Sequence, residues 1–558
     1  MNSSGAVSGT PGLRSAGGPQ VLERVGPDPQ RPRLAAGVTV VEPLAPEAPW
    51  IIQDGPDRYF RVSPDFASVA NSLDGSTPLD ELASQLGDPW TSDDVWRTWE
   101  QLVAKDLVGD REPRPTTTSA FKYVPPLTFQ LTVLDPAKVL TPFTRLIRMV
   151  TGHRGFTLQI LFALAGIISL VLRPSMVWSA ATTPLSLTSY GAVALSFVVA
   201  TAIHEFGHGA VLVSHGGRPS RMGVMLFYLA PAFFCDVSDG WRLPDRRQRV
   251  QIACSGITTQ AVVGAVAAFA SLLPVTAPIR HELVLFAAGT YLGGILNLIP
   301  FVKFDGYLAL MSHLDIPNLR EKAMGDARQF GAWVLFGARR DPELPQYRWA
   351  VAYGFACIGF PFVIVLQAVS LWSRALSQIG IVGLVGMIVG ILGCALVVVR
   401  GWRRMITFAV QTGAPRLRIA LVTGAAAAAV LAGSVLLQVP RTVQGGYFTG
   451  ADGAVHFIMP AGAHDELARG DRIELYRSGV LGRQLVAEAR VADPTSTAQV
   501  GPISAVAPVV TTMTTKYPDT VRLAVAAAPE AASGIAIWQG PQIPLWRFAL
   551  DSYIKPLV

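Results

Sequence analysis

The chain has 558 residues, half of them hydrophobic and 15% charged, with a mean hydropathy of +0.38 and a formal charge of +7. Ordinary soluble domains carry about 25% charged residues, so this composition excludes a simple string of them and leaves either a very large core or a membrane protein. The basic excess does not point to nucleic acid, because the arginines cluster in loops between apolar runs, which is the pattern of membrane topology.

Residues 1–33 are rich in Gly, Pro, Ser and Arg and are predicted to be disordered. They contain no early apolar stretch, so no cleavable signal peptide is expected. Residues 34–110 read as a small mixed domain. Short strands are predicted at Val38 to Glu42, Trp50 to Gln53 and Arg58 to Val62, with a hairpin signal at Asp54-Gly55-Pro56-Asp57. Helices follow near 64–73, 78–86 and 92–107. For the last, Ser92 is the expected N-cap, and Trp96, Trp99, Val103 and Leu107 fall on one face. A linker over 111–154, containing Pro113, Pro115, Pro125 and Pro126, leads into an apolar region.

Seven spans of roughly 18 or more residues are predicted within 155–438, near 155–172, 188–213, 250–273, 282–300, 350–372, 379–399 and 417–438. Loops 214–249, 301–349 and 400–416 are rich in Arg and Lys. Loops 173–187, 274–281 and 373–378 each carry one Arg: Arg173, Arg280 and Arg374. This alternation predicts a multi-pass cell-membrane protein with a cytoplasmic N-terminus and an extracytoplasmic C-terminal region. The tail, 439–558, has strand-like segments at Val455–Met459, Arg472–Tyr476, Leu485–Val491 and Val521–Val525, and reads as an all-β domain. Cys235, Cys254, Cys357 and Cys394 form no CxxC pair, so neither a disulfide framework nor a thiolate metal site is expected.

His204-Glu205-Phe206-Gly207-His208 is an HExxH motif inside the second span. Residues i and i+4 share a helix face, so both imidazoles can reach one zinc ion, with Glu205 beside it as general base. If the helix ends near 213, His208 lies roughly 7 Å and His204 roughly 14 Å inside its end. The bland alternative is a pair of hydrogen-bonded interior histidines. Three ionisable groups on adjacent turns of an apolar helix are costly, however, and metal coordination compensates for them. A catalytic site needs a third ligand. Ser214 occupies the position a metzincin histidine would hold, and His215 misses by one. The strongest candidate is Asp305, in the segment from Asn297 through Pro300 to Asp305-Gly306, where irregular backbone follows an apolar span. Asp236 and Asp239 remain reserve candidates. Met222 to Tyr228 reads either as a strand near the site or as a surface loop.

The HExxH helix and the downstream NxxP…DG segment resemble the site-2 protease family of intramembrane zinc metalloproteases over about 188–310. That resemblance implies zinc ligands His204, His208 and Asp305, Glu205 as the catalytic base and Asn297 as a residue that positions the substrate backbone. It also implies an edge strand near the site that pairs with an extended substrate. Phe304 departs from the Leu or Pro that often precedes Asp-Gly in the family. Residues 38–108 resemble the PqqD-like peptide-binding domain, a winged-helix fold that captures leader peptides. Gly446–Ile473 faintly resembles the barrel-sandwich region of export adaptors. Together these resemblances imply a polytopic α-helical membrane protein with an N-terminal α+β domain and a C-terminal all-β domain. Its expected activity is that of a zinc endopeptidase maturing a ribosomally synthesised, modified peptide by leader removal, with the daptide class as one possible home. The expected partners are the precursor peptide, the bilayer and peptide-modification or export proteins, with no nucleic acid. Two rivals stand beside this reading: a regulatory protease that cuts a membrane-anchored signalling protein, and a non-proteolytic exporter or immunity component.

Overall fold

The computed structural model describes residues 28–43, 50–55, 58–110, 120–124, 128–227, 230–377, 381–459 and 467–553. Of the residues 1–33 expected to be disordered, 1–27 lie outside these residues, as do the turn residues Pro56 and Asp57 and the prolines at 113, 115, 125 and 126. Residues 28–33 are instead ordered against the rest of the first unit: the Pro29 and Pro32 carbonyls accept from the N–H groups of Leu79 and Gly75. The chain divides into two compact units, Met1–Ala120 and Phe121–Val558.

In the first unit, β1 (Val38–Val41), β2 (Trp50–Asp54) and β3 (Arg58–Val62) form an antiparallel sheet in that order, with β3 at one edge. Then come α1 (Pro64–Asn71), α2 (Leu79–Leu86) and α3 (Ser92–Ala104). These are the three strands and three helices expected. The cap of α3 differs: Thr91, not Ser92, is the N-cap. Its hydroxyl accepts from the Asp94 N–H, and the Asp94 carboxylate accepts from the Thr91 N–H, both at 3.2 Å. That reciprocal pair satisfies two donors that would otherwise be orphaned at the helix start. The buried face also shifts. Val95, Trp99 and Leu102 pack with Ile52, Val69 and Leu82, whereas Val103 is 37% exposed. The helix ends at Ala104, so Leu107 reaches the core from the following turn rather than from the helix.

The second unit begins with a correction. The expected linker is folded: β4 (Phe121–Val124), β5 (Thr128–Leu134), α4 (Pro136–Leu140) and α5 (Thr144–Thr151) all lie within it. Its prolines obscured the alternation of Phe129, Leu131 and Val133 with Thr128, Gln130 and Thr132, which is a strand pattern. Next come α6 (His153–Val171), α7 (Pro174–Thr182), β6 (Leu185–Ser186), α8 (Leu187–Ser214), β7 (Met222–Phe227) and β8 (Ala230–Cys235). The order in the antiparallel sheet is β4-β5-β7-β8. Met222 to Phe227 is therefore a strand, but an interior one, and the edge strand that packs on α8 is β8.

The remaining helices are α9 (Arg246–Ala270), α10 (Ala277–Asn297), α11 (Asp305–Leu314), α12 (Leu319–Phe336), α13 (Ala350–Ser377), α14 (Ile381–Gln411) and α15 (Arg416–Leu436). Each expected span coincides with a helix. Among the described residues, four are long and apolar enough to cross a membrane: α6, α8, α9 and α15. Large apolar side chains on them face outward, among them Leu158, Leu195, Leu421 and Val430. Water would penalise such exposure, whereas hydrocarbon would not.

The tail comprises β9 (Gln438–Thr449), β10 (Val455–Ile458), β11 (Arg472–Ser478), β12 (Arg483–Pro502), β13 (Val509–Val510), β14 (Thr514–Val525), β15 (Ser533–Pro544) and α16 (Leu545–Tyr553). Six of these strands close into a barrel in the order β10-β14-β12-β11-β15-β9. Tyr447, Phe457, Ile473, Leu475, Val521 and Trp538 fill its interior, so it is a packed core and not a pore. The tail is fastened to the helical region near β6 as well as through α15. β13 pairs with β6, the Tyr190 hydroxyl donates to the Pro508 carbonyl at 2.9 Å, and the N–H groups of Leu481 and Gly482 donate to the Ala181 carbonyl.

Candidate metal centre

The centre is assembled by α8, α9 and α11. On α8, His204 and His208 lie one turn apart and project the same way, both almost fully buried, with Glu205 beside them half-buried. Asp305 is the first residue of α11, reached by a short irregular turn after α10. That turn is held from outside: the Tyr353 hydroxyl donates to the Pro300 carbonyl at 2.7 Å, and Arg320 Nε donates to the Phe301 carbonyl at 3.1 Å. Gly306 allows the tight return, because a Cβ there would lie 2.1 Å from the Leu298 carbonyl oxygen. The far end of α11 is tied to α9 by the ion pair of Asp315 with the buried Arg249, at 2.7 Å.

The three ligand groups converge. His204 Nε2 lies 3.2 Å from His208 Nε2 and 2.9 Å from Asp305 Oδ2, and His208 Nε2 lies 3.4 Å from Asp305 Oδ1. Tetrahedral coordination at about 2.0–2.1 Å requires donor atoms to be spaced by roughly 3.3 Å, and these groups have that spacing. The protonation pattern follows from their other contacts. His208 Nδ1 is 2.7 Å from the Ile252 carbonyl, which can only accept, so that nitrogen carries the proton. His204 Nδ1 is 2.9 Å from Gln260 Oε1, and the same amide turns its Nε2 toward the Thr290 carbonyl. Both Nε2 atoms are then bare lone pairs facing a carboxylate whose Oδ2 is buried without a hydrogen bond. Three acceptors aimed at one point repel each other unless a cation lies between them. His204, His208 and Asp305 are thus a set of residues that can hold a metal ion among the described residues. α9 leaves room for one: a Cβ on Gly256 would lie 2.4 Å from His208 Nε2 and 2.5 Å from His204 Nε2.

Glu205, His208 and Asp305 border a cavity of about 210 Å³ whose opposite wall includes Phe233, Phe234 and Cys235 of β8. The Cys235 main-chain N–H is within hydrogen-bonding reach of the Glu205 carboxylate. Burial, with Glu205 and Asp236 nearby, pushes the Cys235 thiol well above its ordinary range.

The other candidates lie apart. His215 bonds Gln251 at 3.0 Å, Asp236 accepts from Ser220 Oγ and the Ser238 N–H, and Asp239 accepts from Arg218 N and Arg242. Asn297 is the last residue of α10, half-buried and outside the ligand cluster. Gln260, Gly256 and the Ile252 carbonyl were not foreseen. A glutamine in the middle of an apolar helix is itself a signal, whereas a carbonyl oxygen leaves none in the sequence. Comparison of the chain with protein-family models, with curated proteins and with solved structures finds no match.

Proposed function

We propose that the chain is an intramembrane zinc endopeptidase, similar to the site-2 proteases, that matures a ribosomally made peptide by removing its leader. The observation that carries this reading is the convergence of His204, His208 and Asp305 beside a carboxylate that lines a cavity and is not a ligand. His204, His208 and Asp305 would hold the zinc, which when bound would supply Lewis acidity to a water molecule and a peptide carbonyl. The chain's own residues do the rest. Glu205 takes the proton from the attacking water and returns it to the leaving amine. Gln260 and the Ile252 carbonyl hold both imidazoles in the tautomer that presents Nε2. A peptide must be extended to be cut. The edge strand β8 offers main-chain groups for pairing beside Glu205, with Phe233 and Phe234 as the apolar wall.

The arrangement of loops supports the membrane topology read from charge. The Arg-rich segments contact one another: Arg148 Nε donates to the Ser214 carbonyl, Arg249 pairs with Asp315, and Arg418 donates to the Val334 and Leu335 carbonyls. The barrel instead meets the Arg-poor connection at Ala181 and Leu185. These contacts keep the Arg-rich segments together and set the 173–187 connection beside the tail, which supports a cytoplasmic side and an extracytoplasmic side. The first unit ends its sheet on the edge strand β3, and strand addition at a sheet edge is one way a leader peptide could be bound.

The test is incubation of the purified, zinc-loaded chain with a leader-bearing precursor, with products read by mass spectrometry. Glu205→Gln is expected to keep stoichiometric zinc while cleavage falls by about 10²- to 10⁴-fold, the worth of a general base. A wild-type chain that binds zinc and cuts no leader-bearing or membrane-anchored substrate would overturn the protease reading. Cleavage of an anchored signalling protein alone would overturn peptide maturation.

A further inference from the structure

α14 changes character at one point. No charged residue occurs from Ile381 to Val399, and then Arg400, Arg403 and Arg404 follow on one face of the helix. With Thr407, Phe408 and Gln411, at successive i+3 and i+4 positions, they border an open cavity of about 340 Å³. α12 packs against this half of α14 through Phe336 and Trp402, whose ring centres are 5.9 Å apart. It brings Arg328 into the same field. Partial burial and the charges of Arg404 and Arg320 disfavour the Arg328 cation.

The neighbouring carboxylates are engaged elsewhere. Asp326 accepts from the N–H groups of Glu343 and Leu344, and Glu321 pairs with Lys303. Among the described residues no ion pair reaches Arg328, Arg400, Arg403 or Arg404. An Arg-rich loop at a membrane surface needs no ligand. Three exposed guanidinium groups side by side on one helix face, bordering an open cavity without a counter-charge, do call for an anion.

The cavity also has an apolar continuation. Leu392, Leu396 and Val399 lie on the same stripe of α14 as Arg403 and are each more than half exposed. The ligand must therefore be anionic at one end and apolar at the other. We propose that Arg400, Arg403 and Arg404 bind the phosphate headgroup of an anionic phospholipid whose acyl chains lie along Leu392, Leu396 and Val399. This rests on the reading of α14 as a membrane span.

The experiment uses the full chain, extracted from membranes in detergent and titrated with phosphatidylglycerol or phosphatidylcholine under native mass spectrometry. Phosphatidylglycerol is expected to bind at least tenfold more tightly than phosphatidylcholine. Arg400→Gln/Arg403→Gln/Arg404→Gln should lose at least tenfold of that affinity, whereas Arg246→Gln/Arg247→Gln/Arg348→Gln, which removes the same charge elsewhere, should not. Thr407→Glu, which places a carboxylate in the cavity and keeps every arginine, should also expel the lipid. It guards against a triple variant that fails to fold, and retained zinc reports folding in each case. Equal affinity for the two lipids, or equal loss in both triple variants, would overturn the site. Displacement of the lipid by millimolar inorganic phosphate would make it a site for free anions and overturn the lipid assignment. A chain that purifies without detergent overturns the membrane reading itself. None of these readouts depends on cleavage, so failure of the protease reading remains separate.

Discussion

The α8–α9–α11 cluster and the barrel both bury histidine to a similar degree: His204 is 4% exposed, His208 6% and His456 6%. Their surroundings differ. In the cluster each Nδ1 has an oxygen partner, and each Nε2 points at the other and at Asp305. In the barrel His456 stacks on Phe448 with ring centres 5.3 Å apart, its Nδ1 is buried without a partner, and its nearest carboxylate is the largely exposed Asp452 at 3.9 Å. Burial therefore does not identify a ligand. A metal site is recognised by fixed tautomers and converging lone pairs, and only the cluster has both.

The comparison breaks most readily at the third ligand. Asp305→Ala is expected to lose stoichiometric zinc and all measurable cleavage, while Asp236→Ala and His215→Ala keep both. Metal analysis of the three purified variants decides this, and a metal-free Asp236→Ala would move the ligand assignment to β8. Gly256→Ala should be nearly as damaging, because the new methyl would come within 2.5 Å of both Nε2 atoms. The main chain of α9 cannot withdraw without unpacking from α8. Zinc content and thermal stability are expected to fall together, and normal zinc in this variant would mean that the ion sits elsewhere.

Gln260→Leu should weaken zinc binding by about 10- to 100-fold, the usual cost of removing a partner that orients a ligand histidine. Competition with a chelator of known affinity measures it, and an unchanged affinity would mean that His204 needs no such partner. The smallest effect belongs to the barrel. His456→Phe removes an unsatisfied buried nitrogen and keeps the aromatic stack, so stability should change by no more than about 1 kcal/mol. Zinc content should not change at all. A loss of zinc in His456→Phe would erase the distinction between the two regions.

Much of the architecture was legible because its signals are local. The apolar runs that became α6, α8, α9 and α15 exceed the length any soluble turn of chain requires. The first unit's strands and helices follow short-range alternation and capping residues. Even the barrel strands at Val455, Arg472 and Val521 announce themselves by β-branched alternation. The errors have equally local causes. Prolines near 113–126 masked β4 and β5, and the start of α3 is fixed at Thr91 by its reciprocal bonds with Asp94, a geometry that the adjacent Ser92 would imitate in sequence alone.

His204, Glu205 and His208 were determined by the sequence alone, since an i, i+4 pair on a helix has only one geometry. Asp305 was determined only as a candidate among several acids. The tertiary structure selected it, because the distance between residues about a hundred positions apart depends on how α10 ends and how α11 packs on α9. The same holds for the role of β8 as the edge strand, for the Gln260 and Ile252 contacts that set the tautomers, and for the closure of six strands into a barrel. Each of these depends on which surfaces meet. Local propensity dictates what an element is, whereas long-range packing decides what it faces.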